Sequence, residues 1–136
     1  MKKLELPYIS ERIRGFSLPV DNELFIFDYD EVFKLNLENT VSVEVLNDDP
    51  DMFDYKHPSF LGISGRAPIL QAGQYEISYE FNAQAASQLV TLKSQEKIEN
   101  ITFLTFSGDW FVATLTPCAR YLIIAEPYLI ELYLLD

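Results

Sequence analysis

The chain has 136 residues, 49% of them hydrophobic, a net charge of −11, one cysteine and one histidine. That is the length of one domain (residues 1–136), with enough apolar surface to offset the entropy of ordering, so intrinsic disorder is not expected. A lone thiol rules out an internal disulfide framework, and the acidic balance argues against nucleic acid and anionic membranes, which are bound through Lys and Arg.

The N-terminal MKKLELPYISER starts basic but has no apolar core of the signal-peptide kind. No apolar run approaches the ~20 residues of a membrane span. A reducing, cytoplasmic setting is the expectation. Residues 1–20 net +2, from Lys2, Lys3, Arg12 and Arg14 against Glu5 and Glu11.

Residues 21–54 hold eleven acids and one base, Lys34, and net −10. Nearly all the excess charge is therefore local. Residues 24–37 read as one long strand, with Phe25, Phe27, Tyr29, Phe33, Leu35 and Leu37 on one parity and Asp28, Asp30, Lys34 and Asn36 on the other. After a turn at 38–40, Val41, Val43 and Val45 alternate with Ser42 and Glu44. The pair predicts a hairpin with one apolar and one acidic face. On that reading Asp28, Asp30 and Glu44 project together, with Asp48, Asp49, Asp51 and Asp54 at the hairpin's end.

Residues 47–74 read as a long loop, punctuated by Pro50, Pro58, Gly62, Gly65, Pro68 and Gly73, with a short strand near 60–63. Such stretches are often functional. The acids at 48–54 lack the spacing of a calcium loop, and a single His with a single Cys cannot build a zinc site. No metal or other cofactor is expected. His57 lies near Asp54, Ser59 and Ser64, but Gly62-Ile63-Ser64-Gly65 is not a nucleophile elbow.

Residues 74–82 alternate again, with Tyr75, Ile77, Tyr79 and Phe81 inward. Asn82 is a cap for a short helix near 83–92, although 88–93 also fits a strand. The last third reads as a meander of strands at 98–106, 110–116, 120–126 and 129–135, spaced about 9–10 residues apart as in sandwiches and barrels. The last two strands are apolar on both parities, so they are expected to be covered on both faces or to lie in an interface. Residues 129–135 could also be an open apolar edge that pairs with a second copy. Cys118, after Pro117, is expected to be a buried, inert thiol. Of the nineteen aromatic residues, most sit on core parity. Trp110, beside Asp109 in a turn, is the one expected to show surface exposure.

The segment 111–136, FVATLTPCARYLIIAEPYLIELYLLD, resembles half a blade of a WD40-type β-propeller. Pro117, Arg120, Tyr121 and Leu122 match the turn of that family, whereas Cys118 and Ala119 stand where Asp-Gly is usual, and the closing Trp-Asp is absent. The chain is too short for the four blades a propeller needs. What the resemblance implies is a binding platform.

Together these features predict an all-β domain: an antiparallel sandwich or partly open barrel of about eight strands. The expected function is a non-catalytic interaction module that presents the acidic segment to a basic protein surface. Opposite charge there would steer association. The alternative is an anion or small-molecule binder, or an enzyme, in which His57 and Arg66 from the 47–74 loop form the pocket. The Arg66 fork would be the anion clamp.

Overall fold

The computed structural model describes residues 1–52, 60–63 and 66–135. It is all-β and antiparallel, with thirteen strands: β1 Lys2–Lys3, β2 Gly15–Phe16, β3 Glu23–Phe27, β4 Val32–Asn36, β5 Ser42–Leu46, β6 Leu61–Gly62, β7 Gln71–Ala72, β8 Tyr75–Asn82, β9 Ser87–Lys93, β10 Ile98–Leu104, β11 Val112–Leu115, β12 Tyr121–Glu126 and β13 Leu129–Leu134. They form three sheets, ordered β5-β4-β3-β2-β6, β1-β13-β12-β11 and β10-β9-β8-β7.

The β11–β13 sheet is the middle layer, and the doubly apolar strands at the C-terminus explain why. Tyr121, Ile123, Ala125 and Leu132 pack with Leu24, Ile26, Phe33 and Leu35 of the five-stranded sheet. Leu122, Ile124 and Tyr133, on the opposite parity, pack with Ile77, Val90, Leu92 and Phe103 of the β7–β10 sheet. Leu122, Ile123 and Ile124 are consecutive and all 0% exposed, a pattern only a strand covered on both faces can sustain. The expected doubly covered strands are therefore present, in a stack of three layers rather than two.

β13 is not an edge. β12 pairs along one side of it and β1 along the other, with Lys2 opposite Leu134 and Lys3 opposite Tyr133. Leu4 N adds a bond to Leu132 O at 2.8 Å. The expected open edge at 129–135 is thus corrected: the N-terminal strand β1 pairs along it.

Two further expectations change. The single strand at 24–37 is a hairpin, β3 and β4, joined by a turn at Asp28-Tyr29-Asp30-Glu31. The period-two pattern ran through the turn because Asp28, Tyr29 and Asp30 happen to keep its phase. The helix near 83–92 is also absent. Asn82 Oδ1 accepts from Gln84 N (3.1 Å) and Ala85 N (3.2 Å), as a cap does. The chain then turns back through Ala86 at φ 47° into β9. Every residue of Ser87–Lys93 pairs with β8, and that ladder outweighs the local preference of an Ala-rich segment for helix.

The segment resembling a half blade is the β11-turn-β12-β13 meander. Its turn closes with Ala119 N on Thr116 O at 2.9 Å and Ala119 at φ 59°. The strands stack between two other sheets, not radially around an axis.

Candidate functional site

The acidic segment is organised by the register of its sheet. Val32 lies opposite Leu46, so the 28–31 turn and the 47–51 segment emerge at the same end. Asp28 builds the turn: its Oδ1 accepts from Asp30 N at 2.7 Å and Glu31 N at 2.6 Å, and its Oδ2 accepts from Ser10 Oγ at 2.8 Å. This is the local side-chain-to-backbone bonding that favours Asp in turns. It also ties the N-terminal segment to the turn. A groove of about 340 Å³ results, lined by Tyr8, Ser10, Glu11, Arg12 and the whole 28–31 turn.

Tyr8 is 76% and Tyr29 52% exposed along this groove. The carboxylates of Glu11, Asp28, Asp30 and Glu31 share it with one cation, Arg12. Arg12 is committed elsewhere. It donates to Tyr128 Oη at 3.0 Å and forms an ion pair with Asp109. Its guanidinium lies 5.5 Å from the Tyr128 ring and 5.9 Å from the Tyr29 ring. Arg14 pairs with Asp51 at 2.9 Å and stacks on Phe27 and Tyr29, at 5.4 and 5.2 Å. The basic N-terminal segment thus neutralises part of the acidic end and holds Tyr29 between two guanidiniums.

The predicted site residues do not share one environment. Asp30 and Asp49 are exposed and form no ion pair among the described residues, and the same holds for Glu31, which sequence reasoning did not single out; Asp49 Oδ1 accepts from Asp51 N at 2.9 Å. Asp48 is exposed beside them. Asp28 and Asp51 are at the same end but engaged, as above. Glu44 does not join them. It sits two residues up β5, where Lys34 bridges it at 3.4 Å and Glu23 at 3.1 Å. Glu23 first, then Glu44, raise the Lys34 pKa above its ordinary value. The expected convergence of Asp28, Asp30 and Glu44 is therefore corrected, because Asp28 and Asp30 belong to a turn and not to a strand face. Asp54, His57, Ser59 and Ser64 lie outside the described residues. Arg66 is exposed, its backbone N–H donating to Phe60 O at 2.9 Å.

Sequence reasoning missed Tyr8 and Glu11, which reach the site because the Ser10–Asp28 bond, Ile13 N on Pro127 O and Arg14 N on Phe27 O hold the N-terminal segment there. It also missed a second groove, of about 450 Å³, lined by Phe81, Gln88, Phe106, Trp110 and Phe111. β8 has eight residues and β11 only four, so the inward face of β8 outruns the layer that covers it. Phe81 is left 55% exposed and Phe106 64%. Glu126 holds the loop of this groove in place. It is wholly buried and accepts backbone N–H groups from Phe106 (2.5 Å), Ser107 (3.0 Å) and Tyr128.

Cys118 is exposed, which corrects the expected burial. Its Sγ lies 3.4 Å from Thr116 Oγ1. That hydrogen bond lowers the thiol pKa against the opposing effect of partial burial, with help from Arg120. Since the thiolate is the nucleophile, Cys118 is expected to react with Ellman's reagent faster near neutral pH than a small free thiol. Thr116→Val should move its rate-versus-pH midpoint upward. An unmoved midpoint would show that Thr116 does not tune it.

Among the described residues no group of three or more His, Cys, Asp or Glu side chains is placed to hold a metal ion. Among them, too, no helix is long and apolar enough to cross a membrane. No family model matches the chain, no curated protein matches it, and no solved structure matches it.

Proposed function

We propose that this protein is a non-catalytic interaction module that docks a basic protein surface at the acidic end of its five-stranded sheet. The observation that carries this reading is the groove between residues 8–12 and the 28–31 turn, where two exposed tyrosine rings stand among four carboxylates and the only arginine is already paired. A lysine or arginine side chain laid there would rest its stem and charge on the exposed Tyr8 ring and end among carboxylates, combining cation–π and charge-assisted hydrogen bonding. Tyrosine and arginine are also the residue types in which binding hot spots are rich. Asp48 and Asp49 would extend the field and steer approach. The exposed thiol of Cys118 fits a reducing, cytoplasmic setting.

The test is capture of partners from the host's lysate, comparing wild type with Asp30→Lys/Glu31→Lys/Asp49→Lys. These side chains form no ion pair among the described residues, and the one hydrogen bond lost, Asp51 N to Asp49 Oδ1 at 2.9 Å, is exposed; thermal melts check that the variant stays folded. The expected result is a cationic protein retained by wild type at low salt, released at high salt, and at least about tenfold depleted on the variant. Identical profiles for two folded proteins would overturn the reading.

A further inference from the structure

We propose that β10 pairs with β10 of a second copy, joining two molecules antiparallel across a two-fold axis at Ile101. β10 is the outermost strand of its sheet. The bonds bracketing its ladder, Ser94 N to Lys97 O and Thr105 N to Ala86 O, both 2.9 Å, fix which residues face β9. In an antiparallel ladder alternate residues bond the neighbour, so 99, 101 and 103 bond β9. The N–H and C=O groups of Ile98, Asn100, Thr102 and Leu104 then point toward the open edge.

That edge complements itself. With the axis at Ile101, Ile98 of one copy faces Leu104 of the other and Asn100 faces Thr102. All four are edge-bonding residues, so backbone donors and acceptors meet in register. The side chains match too, apolar against apolar and polar against polar. Ile98 is 63% and Leu104 52% exposed in the single chain, although both are apolar. The strand carries none of the usual guards: no proline and no lysine among residues 98–104, and a single charge, Glu99, bridged to Lys97 at 3.6 Å.

The other long edge does not offer this. Pairing β5 about its centre would set Glu44 against Glu44, and like charges directly opposite are unfavourable. β6 and β7 are two residues each. The outer edge of β11 is engaged, with Leu115 N on Ile69 O and Ile69 N on Thr114 Oγ1. The acidic sheet lies on the far side of the middle layer from β10, so the two copies would meet away from it. A two-fold contact of this kind closes on itself and gives a dimer, not a filament.

The experiment is sedimentation equilibrium of the full chain, with two double variants at exposed positions. Wild type is expected at twice its 15.7 kDa mass, with association tightening as salt screens the net repulsion. Ile98→Lys/Leu104→Lys places like charges opposite each other and should weaken association about 100-fold or more. Ile98→Lys/Leu104→Glu places opposite charges there and should dimerise again. Thermal melts of both variants monitor folding. A monomeric wild type at all salt concentrations would overturn the proposal. So would a Lys/Glu variant as dissociated as the Lys/Lys one, since that outcome denies the 98–104 register.

Discussion

Glu126→Ala is expected to lower the free energy of unfolding by about 3 kcal/mol or more, a large part of a small domain's stability. Glu126 is 0% exposed, and its two oxygens accept three backbone N–H groups, from Phe106, Ser107 and Tyr128. Truncation leaves those part-buried donors without their acceptor and opens a cavity where the buried carboxylate stood. Glu126→Gln keeps an oxygen on one side but turns an NH2 toward a donor on the other, so an intermediate loss is expected. Urea denaturation measures both. Trp110 is the only tryptophan and lines the groove that Glu126 supports, so native-state fluorescence should change in the Ala variant. A loss under about 0.5 kcal/mol, the range of a neutral surface substitution, would mean that the loop holds itself.

Gly62→Ala is expected to cost about 3 kcal/mol or more, or to prevent folding at 37 °C. Gly62 sits at φ +128°, a region essentially reserved for glycine. A Cβ there would lie 2.4 Å from Arg14 O and 2.6 Å from Gly15 Cα. Both are backbone atoms, so no side chain can swing aside. Gly15 is the register partner of Gly62, and its own Cβ would meet Leu61 O at 2.4 Å and the Phe27 ring at 2.9 Å. The two glycines let β2 and β6 approach closely and give Arg14 its seat over Phe27 and Tyr29. Circular dichroism and thermal melting of Gly62→Ala, with the exposed Gly108→Ala as control because nothing lies within 4 Å of its added carbon, would check this. Equal melting temperatures would overturn the steric argument.

Much of the fold was legible because strand alternation reports which face of a strand meets the core. Tyr75 and Ile77 read correctly as inward positions. Alternation is silent about turns that keep its phase, and Asp28-Tyr29-Asp30 is such a turn. One missed turn moved Asp28 and Asp30 off the strand face that Glu44 occupies and dissolved a predicted cluster. The groove that replaced it draws on Tyr8 and Glu11, far from the acidic run in sequence. Non-local bonds bring them in: Ser10 to Asp28, Ile13 N to Pro127 O and Arg14 N to Phe27 O.

By itself the sequence determined the class of structure and the distribution of charge. Apolar residues at period two leave an all-β fold as the way to bury them, and apolar residues on both parities in the last strands require cover on both faces or an interface. Net charge by segment is a sum that folding cannot alter. Tertiary structure decided what each charge and each edge is free to do. Arg12, Arg14 and Lys34 cancel Asp109, Asp51 and Glu44 because non-local pairing sets them within ion-pair distance. β13 lost its edge to the N-terminal strand, while β10 kept its own. Such outcomes depend on which strands become neighbours, a choice made by the summed packing of three layers and not by any local run of residues.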